Sequence, residues 1–377
     1  MTPESRRASS DHDPPPFKIY SHRRRDIIQS RYRVVHKLGY GAYSIIWLCR
    51  DDHSDAYVAV KVGTGDSNPR EAEILSLLNS ACPSINHPGK AMMPTVCDRF
   101  VLQGPNARSL IAQLVLAVGC SHSGGIVHGD LHVGNVLLRL PTDFDRLSIE
   151  HLYAKFRQPD SQPVVRLDGK PLERSIPSIA TVPIWLGKAS EEFSPSEVSV
   201  ILSDFGEAYS PSTEHRYESH TPLSFAPPEA RLEPEQSLTF LSDVWTLACV
   251  IWAILGQRPL FEEFLATQDD ITGEQIDILG VRLPVEWWEK WEARHEYFDA
   301  SGEPKTGRHV QSWEDRFESH IQRPRRDVGI PGFEVEEKRA VMDMLRSMLS
   351  FRPERRLTLE SILECEWMVK WALPEYK

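Results

Sequence analysis

One stretch of this chain restricts its fold more than any other: Ile126-Val127-His128-Gly129-Asp130-Leu131-His132-Val133-Gly134-Asn135-Val136-Leu137-Leu138. Apolar residues at both ends frame a polar loop that holds a histidine, an aspartate and an asparagine at fixed separations, and the closing apolar run reads as a short strand. Further along, a second apolar strand, Val198-Ser199-Val200-Ile201-Leu202, runs into Ser203-Asp204-Phe205-Gly206. Each segment alone fits an ordinary loop. In this order they supply what metal-assisted phosphoryl transfer needs. Asp130 would orient a hydroxyl and accept its proton, Asn135 would offer an oxygen to a magnesium ion, and Asp204 could bridge that ion to phosphate oxygens.

The preceding third of the chain has a different rhythm. Tyr32 to Leu38 and Ile45 to Cys49 alternate as strands around Leu38-Gly39-Tyr40-Gly41-Ala42-Tyr43-Ser44, where the missing Cβ of Gly39 and Gly41 lets backbone N–H groups approach a phosphate. A plain hairpin is the alternative for such a loop. Val58-Ala59-Val60-Lys61-Val62 predicts a third strand that presents the cation Lys61, and Arg70 to Leu78 predicts a helix carrying Glu73. Phe100 to Gln103 reads as a short strand, Gly104-Pro105-Asn106 as a break, and Ser109 to Ser121 as a helix. Apolar periodicity returns in Val244 to Leu255 and Val341 to Leu349, so the second part is mainly helical.

Composition narrows the class. Hydrophobic residues make up 41% and charged residues 26%, the range of a folded globular protein, and no window approaches the ~18 apolar residues of a membrane span. The net charge of −11 argues against general binding to a nucleic-acid backbone. Six scattered cysteines, without C-x-x-C spacing, predict reduced, packed thiols. Residues 1–30, with Pro14-Pro15-Pro16 and Arg23-Arg24-Arg25, predict a disordered tail, and no secretory signal opens the chain, so a cytoplasmic or nuclear address is expected.

The motifs resemble the protein kinase fold across about residues 32–370: the glycine loop, Val-Ala-Val-Lys, His-Gly-Asp with Asn135, and Asp-Phe-Gly, then Pro227-Pro228-Glu229 and Asp243-Val244-Trp245. The resemblance implies an α+β, bilobal architecture, a small antiparallel β-rich lobe over 31–106 and a larger, mainly helical lobe over 107–372. It makes Asp130, Lys61 and His132 the catalytic candidates. Leu38, Gly39, Gly41, Ser44, Lys61 and Glu73 are placed at the nucleotide, and Asn135 and Asp204 at Mg2+, with ATP as the phosphate donor. Arg356 is placed to pair with Glu229. The glycine loop ending in Tyr-Ser-Ile-Ile-Trp-Leu, an insertion at about 141–197 and an extended segment at 261–340 are similar to SR-protein kinases. That branch implies a monomeric enzyme that phosphorylates serine or threonine in Arg/Ser-rich protein substrates, with no direct nucleic-acid or membrane partner.

Three positions depart from the pattern. Between Gln103 and Ser109 only Gly104 to Arg108 intervene, where kinases place a strand, an adenine-binding hinge and a helix totalling roughly 30 residues. Five residues at no more than about 3.6 Å each cannot supply these, which leaves open a binding-only pseudokinase or a truncated variant. Gly129 stands where many kinases carry an arginine that binds an activation-loop phosphate, a change shared with the SR-protein branch. His132 replaces the usual lysine, and an imidazole is shorter and mostly neutral at pH 7. His-Gly-Asp-Leu-His-x-Gly-Asn also resembles the loop of aminoglycoside and choline phosphotransferases, a reading opposed by Asp-Phe-Gly, Pro-Pro-Glu and Asp-Val-Trp. Acidic residues at Glu262-Glu263 and Asp269-Asp270, with Trp287, Trp288 and Trp291, suggest either a docking groove for an arginine-rich peptide or a solvated face over inward-packed tryptophans.

Overall fold

The computed structural model describes residues 27–28, 31–40, 44–63, 106–140, 143–166, 170–172, 178–184, 186, 198–256, 258–262, 266–306, 311–327 and 329–376. They divide into two compact units, one from the chain up to Ser67 with Thr142–Leu186, the other from Asn68–Pro141 with Gly187–Lys377. The expected tail up to residue 26, Gly41, the helix bearing Glu73 and the strand at 100–103 lie outside the described residues.

In the first unit the alternating segments form an antiparallel sheet in the order β1 (Ile27–Ile28), β2 (Tyr32–Tyr40), β3 (Ser44–Asp51) and β4 (Ala56–Gly63). Val34, Trp47 and Cys49 fill its buried face, with Val58 and Val60 packed against them. The turn after β3 is fixed by the Asp51 carboxylate, which accepts two 2.6 Å bonds from Arg31 and one of 2.7 Å from the Ser54 hydroxyl. Those bonds, the Arg31 bond foremost, hold its pKa far below the ordinary carboxyl range. Described residues between 143 and 186, within the expected insertion, pack with this sheet. Asp145 accepts the Tyr57 amide at 2.7 Å, Tyr153 donates to the Val35 carbonyl at 2.9 Å, and the Ile184 amide to the Lys37 carbonyl at 2.8 Å.

The second unit is organised around α1 (Asn106–Ser123), which starts a turn earlier than Ser109 and runs past Ser121. Leu110, Ile111, Ala112, Leu114, Val115, Ala117 and Val118 are all buried, the signature of a helix enclosed on every side. Buried among them, Gln113 uses its amide on both sides, donating to the Val198 carbonyl at 2.8 Å and accepting the Val200 amide at 2.9 Å. Beside it β5 (Val136–Leu138) pairs antiparallel with β6 (Val200–Leu202), Val136 opposite Leu202. The remaining core comes from α2 (Phe240–Leu255), α3 (Gln268–Leu279) and α4 (Val335–Met348). Thr239 and Thr267 close capping boxes with Ser242 and Asp270 at the starts of α2 and α3. Among the described residues Cys49, Cys120, Cys249 and Cys365 are free thiols, and no helix is long and apolar enough to cross a membrane.

Candidate functional site

Antiparallel pairing of β5 with β6 decides where the predicted residues meet. Asn135 immediately precedes β5 and Ser203 immediately follows β6, so the register places them side by side, and the Ser203 amide donates to the Asn135 carbonyl at 2.9 Å. Asp204 comes next, in a left-handed conformation (φ 61°, ψ 71°) that is costly for a residue with a Cβ and is found where surrounding structure over-determines the backbone. Gly206 leaves room for its carboxylate, since a Cβ there would stand 3.2 Å from Asp204 Oδ1.

The loop from Ile126 to Asn135 is held by its own histidines and by a carboxylate from far along the chain. His128 is wholly buried; its Nε2 lies 3.0 Å from the Ser203 carbonyl, and Nδ1 accepts the Asp130 amide at 3.3 Å. Burial pushes this imidazole below its ordinary pKa, with Asp243 opposing, so it serves as a neutral bridge between the two loops. Asp243 accepts the His128 amide at 2.7 Å, the Gly129 amide at 3.0 Å and His122 Nε2 at 2.9 Å. Burial alone would raise the Asp243 carboxyl, but the His122 contact and the Gly129 amide hold it below its ordinary value. The sequence marks Asp243 only as a helix start. Its partners lie more than a hundred positions away, and the single local signal is a carboxylate inside an otherwise apolar helix.

Gly129 has a local structural reason. Its φ is +77°, and a Cβ would lie 2.8 Å from the Glu207 carbonyl oxygen, so no larger residue fits without moving the segment after Asp204. That segment is tied down by Arg216, which donates to Glu207 at 3.2 Å and to Glu214 at 2.6 Å, and by His220 Nδ1 at 2.9 Å from Glu207.

Asn135 Nδ2 donates to the Asp130 carbonyl at 2.9 Å and lies 3.4 Å from Asp130 Oδ2, which commits the amide nitrogen and leaves Oδ1 of Asn135 as the acceptor for a cation. Asp130 Oδ1 is buried and has no hydrogen-bond partner among the described residues. His132 places Nε2 3.7 Å from Asp130 Oδ2 and accepts the Gly134 amide on Nδ1 at 3.1 Å. Thus Asp130, His132, Asn135 and Asp204 belong to one assembly. Lys61 lies on β4 of the other unit, exposed and opposite Ile46; Leu38 and Gly39 lie on β2, and Ser44 begins β3. Gly41 and Glu73 lie outside the described residues.

The other predicted contacts are mixed. Arg356 is buried and grips Glu229 with two bonds of 2.7 and 2.6 Å, as its position suggests. Trp287 and Trp291 are 1% and 2% exposed, so they face the core and present no docking surface. Asp269 is already bonded to Arg231 and to Trp291 Nε1. A recess of about 240 Å³ does carry charge: Glu262, Asp270, Glu274 and Asp277 line it with Arg316. Glu274 lies 2.7 Å from Arg316, and burial lifts its pKa above the ordinary range against the pull of that arginine.

The family described as the protein kinase domain matches residues 193–368. A serine/threonine protein kinase of Aspergillus fumigatus is 26% identical over 91% of this chain and 86% of its own length. The serine/threonine-protein kinase SRPK of Physarum polycephalum is 23% identical over 91% of this chain and 87% of its own. A kinase-domain crystal structure superposes with a TM-score of 0.57 at 15% identity, covering 93% of this chain and 98% of that one, a likeness of fold.

Proposed function

We propose that this chain, a protein kinase by its domain match and its serine/threonine kinase relatives, transfers phosphate from ATP to serine or threonine in Arg/Ser-rich protein substrates. One observation carries the catalytic reading: Asp130 Oδ1 is buried with no hydrogen-bond partner among the described residues. A buried carboxylate oxygen without a partner is costly, and a substrate hydroxyl donating to it removes that cost. As the hydroxyl oxygen bonds to the γ-phosphorus and the bond to ADP breaks, the hydroxyl proton passes to Asp130.

The residues present suit magnesium bound together with a nucleotide. Among the described residues no group of three or more His, Cys, Asp or Glu side chains is arranged to hold a metal ion by itself. Two oxygen donors, on Asn135 and Asp204, are what magnesium takes when phosphates complete its shell. The ion would neutralise charge on the phosphates; Asn135 and Asp204 would hold it, and Lys61 is the cation proposed for the phosphates themselves.

The Arg/Ser preference rests on the SR-protein kinase relatives and on the acidic recess at α3, whose carboxylates suit guanidinium groups. The decisive assay is incubation of the full chain with Mg-ATP and an Arg/Ser-repeat peptide, reading phosphoserine by mass spectrometry. Transfer to that peptide above a neutral serine peptide supports the reading. No transfer together with no Mg-ATP binding up to millimolar concentration, measured by calorimetry, overturns it in favour of a binding-only protein.

A further inference from the structure

We infer that His132 is a positioning residue for Asp130, donating its Nε2–H to the base's outer oxygen while Nδ1 locks the turn beneath. The inference deepens the proposed phosphoryl-transfer reading and rests on it. His132 caps the single turn Val133–Asn135 in an extended conformation, and its Nδ1 accepts the Gly134 amide at 3.1 Å. A nitrogen that accepts an N–H carries no proton of its own, so the neutral ring has its hydrogen on Nε2. That nitrogen is 3.7 Å from Asp130 Oδ2. The same oxygen is 3.4 Å from Asn135 Nδ2. Two N–H groups therefore attend Oδ2 and, among the described residues, none attends Oδ1, which divides the carboxylate into an anchored oxygen and a reactive one.

The 3.7 Å separation is longer than a hydrogen bond. Contacts of this kind at catalytic groups commonly tighten when substrate is in place, and a small rotation of either side chain closes the gap. A lysine at this position would offer three N–H donors to share between carboxylate and phosphate. The imidazole has one, because Gly134 uses the other nitrogen, so the substitution exchanges a phosphate contact for a fixed orientation of the base.

Two variants separate the nitrogens. In His132→Asn the amide oxygen replaces Nδ1 and keeps the turn cap, whereas in His132→Gln the amide nitrogen replaces Nε2 and keeps the donor to Asp130. His132→Asn is expected to hold its melting temperature and lose about tenfold in kcat with KM for ATP unchanged. His132→Gln is expected to recover most of that loss in spite of a weakened turn. Wild-type kcat in His132→Asn, or a raised KM for ATP with unchanged kcat, would overturn the inference. A readout independent of turnover is the long-range 1H–15N spectrum of the nucleotide-free chain. It should show His132 unprotonated at Nδ1 and protonated at Nε2, with the Nε2 resonance moving in Asp130→Asn. A proton on Nδ1, or an Nε2 signal indifferent to Asp130→Asn, sinks the idea even in an active enzyme. Absence of phosphoryl transfer with the expected spectrum faults the functional reading and leaves the His132 contact standing.

Discussion

The loops around Asp130 and the recess at α3 both gather carboxylates, yet they manage them in opposite ways. Around Asp130 the acids are spaced by backbone: Asp243 is consumed by two amides and a histidine, and Asp204 is held by its own left-handed backbone. At the recess Glu262, Asp270, Glu274 and Asp277 line one space together with Arg316, which lies 2.7 Å from Glu274. Geometry fixed by backbone bonds is insensitive to salt and intolerant of a misplaced atom; a charge cluster is the reverse. The first arrangement suits chemistry, which needs sub-ångström placement, and the second suits recognition of a mobile basic peptide.

The largest expected effect tests the first half of that contrast. Asp130→Asn keeps shape and removes the proton acceptor, and kcat should fall by about 10²- to 10⁴-fold, the usual worth of a general base, with peptide affinity unchanged. A loss that appears in peptide KM instead would merge the two regions into one binding surface.

Two buried histidines sharpen the comparison. His128 has both ring nitrogens engaged, whereas His320, beside Arg316, has a buried Nδ1 with no partner among the described residues. Burial, with Arg316 and Arg258 adding to it, lowers His320 from the ordinary 6.5 to about 4. The folded state therefore resists a proton that the unfolded chain accepts. Its contribution is complete above pH 6.5 and is lost as pH falls from there towards 4. The ceiling is about 3 kcal/mol. Urea unfolding at pH 7 and pH 5 should show the loss, and His320→Gln should reduce it. An unchanged pH slope in that variant moves the acid sensitivity to other groups, among them His128 and His36, whose pKa values burial also lowers.

Gly129→Ala is the next smaller effect. The φ of +77° and the 2.8 Å approach to the Glu207 carbonyl should cost about 1 to 3 kcal/mol by chemical denaturation. Stability within error of wild type would mean that the loop has more play than backbone fixation allows.

How far the sequence reaches follows the same division. Asp130, Asn135 and Asp204 are legible because short spacings next to β5 and β6 carry them, and the pair Glu229 and Arg356 follows from motif position. The Asp243 network is not legible, since nothing local to Phe240–Leu255 says which amides its one carboxylate will meet. At the recess, composition suggests an acidic surface with tryptophans, but only packing shows that Trp287 and Trp291 turn inward and that Asp269 is taken by Arg231. The reach of α1 beyond Ser109–Ser121 is hidden for a related reason: a helix buried all round lacks the polar face that marks its ends.

The smallest effect belongs to the recess. Asp277→Asn removes one charge of several on a solvent-facing rim, a change worth at most about 1 kcal/mol, so KM for an Arg/Ser peptide should rise by about two- to fivefold with kcat unaltered. Screening decides whether charge is the cause. At 0.5 M salt the Debye length falls to roughly 4 Å, and the difference between variant and wild type should vanish while the Asp130→Asn defect persists in full. A KM increase that survives high salt would point to shape at α3, and one absent at low salt would remove the recess from substrate recognition.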